Sequence, residues 1–143
     1  MKKKTTKIEL HHPYTKVGRL KATIAQKAHL KCADIYVSEN YLRHIQTKHG
    51  KELGTLGILP IDFVRLICDN FNEIRKGSDN SVLIVMFNKR LSYVAGIALN
   101  YSVEKDFWDI KTAEPRRLKA IEKKALIWSA AKHTDNGNGN RSN

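Results

Sequence analysis

Val82-Leu83-Ile84-Val85-Met86-Phe87, followed by a turn at Asn88-Lys89-Arg90 and then Tyr93-Val94-Ala95-Gly96-Ile97-Ala98-Leu99-Asn100-Tyr101, is the stretch that decides the fold. The first run is apolar at every position, as a central strand covered on both faces is. In the second, Tyr93, Ile97, Leu99 and Tyr101 alternate with Val94, Gly96, Ala98 and Asn100. One face of that strand is bulky, and the other is small enough to admit a helix or a ligand closely. Upstream, residues 72–77 read as a further strand ending in a Ser78-Asp79-Asn80 turn. Downstream, Glu104-Lys105 turns the chain into a last strand over 107–112.

Before Asn72 the apolar spacing is helical instead. Leu20, Ile24 and Ala28 predict an amphipathic helix over 18–31. Ile35-Tyr36-Val37 is a short extended segment, and Ser38 caps a second helix carrying Tyr41, Leu42, Ile45 and His49 on one side. Gly50, Gly54 and Gly57 are expected to break it into a loop, and Pro60 and Asp62 start a third helix around Phe63, Leu66 and Ile67. After the strands, Glu114-Pro115 opens a final helix with Leu118, Ile121, Ala125 and Trp128 inward and Arg116, Lys119 and Lys123 as a basic stripe. The expectation is an α+β fold in which N-terminal helices pack on an antiparallel four-stranded β-meander, followed by a C-terminal helix. Residues 1–16 read as a basic flexible arm, 17–133 as one domain and 134–143, rich in Asn and Gly, as a disordered tail.

The 143 residues carry 26 Lys and Arg against 14 Asp and Glu, a formal net charge of +12. Such a field favours phosphate backbones or anionic surfaces. No apolar run is long enough to span a bilayer. Lys2-Lys3-Lys4 has no apolar segment behind it, unlike a secretion signal. Cys32 and Cys68 lack metal-ligand spacing and read as buried free thiols in a reducing, cytoplasmic setting. His11-His12 has no third ligand at a sensible spacing, so no metal and no other cofactor is expected. There is no P-loop, dinucleotide fingerprint, HExxH or nucleophile elbow, and no paired acidic cluster of a two-metal nuclease.

The segment from Asp34 to His49 carries two imidazoles, His44 and His49, beside Arg43 and Lys48. Imidazole gives and takes protons near neutrality. RNA brings its own nucleophile, the 2′-hydroxyl, so cleavage needs only proton-transfer groups, cations for the phosphorane and a donor to it. His44 and His49 supply the first, Arg43, Lys48, Arg75, Lys76 and Lys111 the second, and Thr112 the third. Five residues apart on a helix, the histidines lie about 140° from one another and cannot act as a tightly coupled pair. Competing structural roles are an exposed surface position for His44, an inward histidine or helix cap for His49 and a turn residue for Thr112.

The order Asp34-Ile35-Tyr36-Val37-Ser38, His44-Ile45, Lys48-His49, a helix after Pro60, then strands ending in Ile110-Lys111-Thr112-Ala113 resembles nuclease domains of the barnase–EndoU–colicin–RelE superfamily carried by phages and mobile elements. The resemblance covers roughly 34–128. It implies a small metal-independent ribonuclease, often a toxin; the leading expectation is an endoribonuclease acting on tRNA or another structured RNA, with the existence of an immunity or antitoxin partner left open. It further implies His44, His49 and Thr112 as site residues, with Lys48, Arg75 or Lys111 holding the phosphate. Two rivals share the same charge: a non-catalytic nucleic-acid-binding accessory protein of a phage or mobile element, and an inactive nuclease fold serving as an interaction module.

Overall fold

A computed structural model of the chain describes residues 13–88, 93–116 and 118–130. Its centre is one seven-stranded sheet, β1 (Tyr14–Leu20), β2 (Ala33–Ser38), β3 (Glu73–Lys76), β4 (Val82–Asn88), β5 (Tyr93–Ser102), β6 (Phe107–Arg116) and β7 (Leu126–Ser129). Four helices accompany it among the described residues: α1 (Ala22–Ala28), α2 (Glu39–Thr55), α3 (Pro60–Asn70) and α4 (Leu118–Glu122). The strand order is β1-β2-β6-β5-β4-β3-β7, antiparallel except for the parallel pairing of β2 with β6.

This corrects the expected architecture at both ends of the chain. The antiparallel run β3–β4–β5–β6 is present, but it is the middle of a larger mixed sheet. The first element among the described residues is a strand, β1, which starts inside the stretch assigned to the arm and includes Leu20, the residue read as opening a helix. The helix that follows is only Ala22–Ala28, burying Ala25 and Ala28. At the other end, the single long helix is replaced by the short α4 and by β7, which pairs with β3. An edge strand exposes a row of unpaired N–H and C=O groups. β7 closes that row on β3, and the Lys76 N–H also donates to the Ala125 carbonyl at 2.8 Å. The tail at 134–143 and residues 1–12 lie outside the described residues.

α3 is the helix around which the sheet is organised. Phe63, Val64, Ile67 and Cys68 are all buried, and the helix packs against α2, β1, β4 and β5. Contact with strands so far apart in the sheet order means that the sheet wraps α3. Gly18 on β1 permits the close approach, because a Cβ there would lie 2.8 Å from the Cβ of Cys68. Ile35, Ile84, Ile97, Leu99 and Ile110 face the same core. Trp108 joins it and donates its indole N–H to the Lys31 carbonyl at 2.8 Å. Burial pushes the Cys68 thiol up to about 12, whereas Cys32 is half-buried. A thiol reagent at neutral pH should therefore modify Cys32 alone in the native protein and both cysteines in denaturant, as read by intact mass. The thiolate is the reactive form, and Cys68 withholds it as well as lacking access.

Helix α2 runs through Gly50 and Gly54, where a loop was expected, and ends at Thr55, two residues before Gly57. Gly57 has φ +72°, its N–H donates to Gly54 O and the next N–H, of Ile58, donates to Leu53 O. Paired bonds of this kind satisfy the last carbonyls of a helix and need a left-handed residue. The same arrangement ends α1, with Leu30 N–H to Ala25 O and His29 N–H to Gln26 O, but the left-handed residue there is His29 at φ 59°. A side chain in that conformation costs roughly 1–2 kcal/mol, which glycine avoids. His29→Gly should raise stability by about 1 kcal/mol in urea unfolding, since His29 is exposed and loses little packing.

Candidate functional site

Among the described residues, the sheet face away from the main core is covered only in part. Leu83 and Val85, with the half-buried Ala98, lie beneath Ile121 of α4. The small side of β5 thus admits a helix, and farther along the strand, at Ala98 and Asn100, it borders an open cleft. On β2, Ala33, Ile35 and Val37 are buried, so Asp34, Tyr36 and Ser38 point to the other face.

A β-bulge in β6 sets the geometry. Leu99 pairs with Ile110 and Ala98 pairs with Thr112, so Lys111 is the extra residue. In a regular strand Thr112 would alternate onto the core side with Ile110. The bulge instead turns Thr112 to the outer side beside Lys111 and returns Ala113 to the core, where it is fully buried. Bulges of this kind re-aim side chains next to functional sites.

Helix α2 forms the opposite wall. Ser38 caps it by accepting the Tyr41 N–H at 3.1 Å, and Glu39 in its first turn suits the positive end of the helix dipole. Pairing between β2 and β6 is seen only at Ile35↔Trp108 and Tyr36↔Asp109. Farther along β6, the Ala113 N–H donates to the Tyr41 hydroxyl at 2.9 Å. Tyr41 thereby stands in for the missing strand and fixes the start of α2 over β6. His44, one turn on, stacks against the Tyr41 ring with centroids 5.3 Å apart.

Between these walls lies a cleft of about 400 Å³ that brings together His44, Tyr41, Asn40, Ser38, Asp109 and Lys111. The Lys111 ammonium lies 3.4 Å from an Asp109 carboxylate oxygen, and its side chain keeps 53% of its surface exposed. A second cleft of about 270 Å³ lies on the other side of Lys111, bordered by Thr112, Asn100, Lys124 and the turn carrying Ser78 and Ser81. Lys111 is common to both.

The candidates from sequence are therefore divided. His44 and Lys111 meet in one cleft, and Lys111 and Thr112 meet in the next. His49 lies elsewhere, with Nδ1 2.7 Å from the Glu52 carboxylate, and it borders neither cleft. Arg43 is exposed and donates to the Asn40 side chain at the cleft rim. Lys48, Lys76, Lys119 and Lys123 are exposed and border neither cleft. Arg75 is occupied within the fold, donating to the Glu73 carboxylate at 2.8 Å and to the Lys124 carbonyl at 2.7 Å. Arg116 ends β6, and its side chain lies outside the described residues.

Sequence reasoning passed over Asp109, Asn40 and Tyr14, which also borders the first cleft. Asp109 was legible in principle, being two residues before Lys111 on a strand and therefore on its face. Chemically, the first cleft offers an imidazole, a carboxylate and an ammonium around an open space, a set able to move protons next to a bound anion. Among the described residues, no group of three or more His, Cys, Asp or Glu is placed to hold a metal ion. No helix among them is long and apolar enough to cross a membrane. No protein-family model, curated protein or solved structure matches the chain.

Proposed function

We propose that this chain is a metal-independent endoribonuclease whose reaction takes place in the cleft between α2 and β6. One observation carries the reading. His44 and Lys111, singled out in sequence for different chemical reasons and 67 positions apart by their numbers (111 − 44), border the same open cleft on a chain of net charge +12. The nuclease resemblance of residues 34–128 implied both.

The substrate contributes the nucleophile. A base removes the proton of the ribose 2′-hydroxyl, the 2′-oxygen bonds to phosphorus, and the 5′-oxygen leaves with a proton from an acid. The products are a 2′,3′-cyclic phosphate and a 5′-hydroxyl. His44 and Asp109, an imidazole and a carboxylate on facing walls, are the proton-transfer pair. Lys111 holds the phosphate, and its charge matters most when the phosphorane is most negative. Thr112, beside Lys111, is a hydroxyl donor toward the same phosphate. Arg43 and the exposed lysines of α2 and α4 attract RNA without reading its sequence.

Purified protein incubated with total RNA in excess chelator tests this directly. Chelator-resistant cleavage leaving cyclic phosphate ends supports the nuclease. RNA that is bound in a salt-dependent way and recovered intact would instead identify the nucleic-acid-binding accessory protein.

A further inference from the structure

We propose that the outer face of β1, β2 and β6 is a track for an unpaired RNA strand, running from the His44–Lys111 cleft across three aromatic rings to a third cleft at the far end of the same strands. The proposal rests on the ribonuclease reading above and names the form of its substrate, RNA that is single-stranded next to the scissile phosphate.

The rings are the first observation. On β6, Trp108 belongs to the main core, so Phe107 alternates onto the outer face. It is nevertheless only 1% exposed. Tyr14 of β1 and Tyr36 of β2, both half-buried, lean on it with ring centroids 5.3 and 4.4 Å away. A solvent-side sheet face is ordinarily polar. Rings gathered there on adjacent strands are what RNA-binding sheets use to stack unpaired bases.

Cations are interleaved with the rings. Lys105 reaches over Tyr14, its ammonium 4.6 Å from the ring centroid and 3.4 Å from the hydroxyl. Lys16 stands opposite Tyr36 in the strand register. Arg19 borders the third cleft, of about 320 Å³, together with Tyr36, Phe107 and Lys105. Asp34 and Asp106 border it too, but their charges are already engaged. Asp34 accepts from Arg19 at 2.8 Å and lies 3.5 Å from the Lys16 ammonium, and Asp106 accepts the Tyr101 hydroxyl. Cations for the backbone and rings for the bases are the two attractions that hold single strands, and stacking of this kind tolerates any base.

Continuity joins this patch to the reaction cleft. Tyr14 borders the first cleft with His44 and Lys111, and Tyr36 and Phe107 border the third. On β2, Ser38 lies in the first cleft and Asp34 in the third, a separation of about 13 Å along the strand. A strand with its phosphate at Lys111 therefore meets the rings within its next nucleotides. A duplex gains nothing from them, because its bases are paired and stacked on one another.

The test uses the full-length protein and a fluorescent 2′-O-methyl RNA oligonucleotide, which has no 2′-hydroxyl to attack and stays intact. Binding is read by anisotropy for the single strand and for its duplex. The duplex carries the denser charge, so a surface attracting RNA by charge alone would bind it at least as tightly. The single strand should instead bind about tenfold more tightly than the duplex. Tyr36→Leu, which keeps an apolar side chain against Phe107, should weaken single-strand binding about tenfold and leave duplex binding unchanged. Tyr36→Phe should keep the wild-type value. Equal or tighter binding of the duplex by the wild-type protein would overturn the proposal without any variant having to fold. Wild-type affinity for the single strand in Tyr36→Leu would overturn it as well. Because the oligonucleotide cannot be cut, single-strand preference in a protein that cleaves no RNA would support the track and remove the nuclease. Cleavage of total RNA by a protein that prefers the duplex would remove the track and leave the nuclease standing.

Discussion

On the proposed ribonuclease mechanism, His44→Ala is expected to lower the rate of RNA cleavage by roughly two to four orders of magnitude, the range over which a positioned proton-transfer group acts, and to leave the fold intact. The reasons for the two halves of this result differ. His44 is exposed on α2, so its removal opens no cavity, and alanine is the best helix former available at an exposed helical position. What is lost is the imidazole at the mouth of the cleft, held there by stacking on Tyr41. RNA affinity should change little, because the attraction comes from the lysine and arginine side chains and the counterions they release. The informative companion is His49→Ala. Its ring sits against Glu52, away from either cleft, so cleavage should remain within a few-fold of wild type while thermal stability falls. Single-turnover rates and melting temperatures of the two variants check both statements. A rate loss in His49→Ala with none in His44→Ala would move the chemistry out of the α2–β6 cleft.

The contrast between the histidines shows what the linear sequence contained. Side chains able to move protons or hold a phosphate could be read directly, and so could the strands after Asn72, where alternation and a fully apolar run leave little choice, although β6 runs on through Glu114 and Pro115, where a helix was expected. α3 was equally legible from Pro60 and the spacing of Phe63 and Ile67. The two ends of the sheet were not. In β1 the pairing register shifts between Lys16 and Gly18, which disrupts the alternation that marks a strand. In the C-terminal segment, Leu118, Ile121, Ala125 and Trp128 sit at helical spacing by coincidence. Ile121 packs with Leu83 and Val85 on the outer face of the sheet. Trp128 belongs to the main core and meets Phe71 edge-on, with ring centroids 5.8 Å apart. One apparent stripe thus serves two faces, which a single helix cannot do. The parallel pairing of β2 with β6 joins segments some seventy residues apart and leaves no local trace. The site depended on that pairing and on the bulge at Lys111. Its one sequence signal is the pair of polar residues, Lys111 and Thr112, between the inward Ile110 and Ala113.

Arg75→Ala is expected to destabilise the protein by about 2–4 kcal/mol and to leave any affinity of the folded protein for RNA unweakened. As a cation on a strand, Arg75 is a natural candidate for a phosphate contact, but its surroundings assign it another task. Its side chain and that of Glu73 are each only 13% exposed and form a 2.8 Å ion pair. A second bond from the guanidinium, to the Lys124 carbonyl, ties β3 to the chain between α4 and β7. Removing one partner of a buried pair costs about 3–5 kcal/mol because the remaining charge is stranded, and the residual exposure here lowers that figure. Replacing both partners by apolar groups avoids the stranded charge, so Glu73→Leu combined with Arg75→Met should recover much of the loss. Lys111→Ala should show the opposite pattern. Its ammonium is half exposed and pairs with Asp109 at 3.4 Å, so stability should change by less than about 1 kcal/mol. RNA binding should weaken, with a shallower dependence on salt, because one phosphate contact is gone. Urea unfolding and a salt titration of RNA affinity, run on both variants, separate the two lysine-or-arginine roles that charge alone cannot distinguish. If Arg75→Ala weakened RNA binding as Lys111→Ala does, with no loss of stability, the phosphate contact would belong on β3 and the α2–β6 cleft would lose its claim to the substrate.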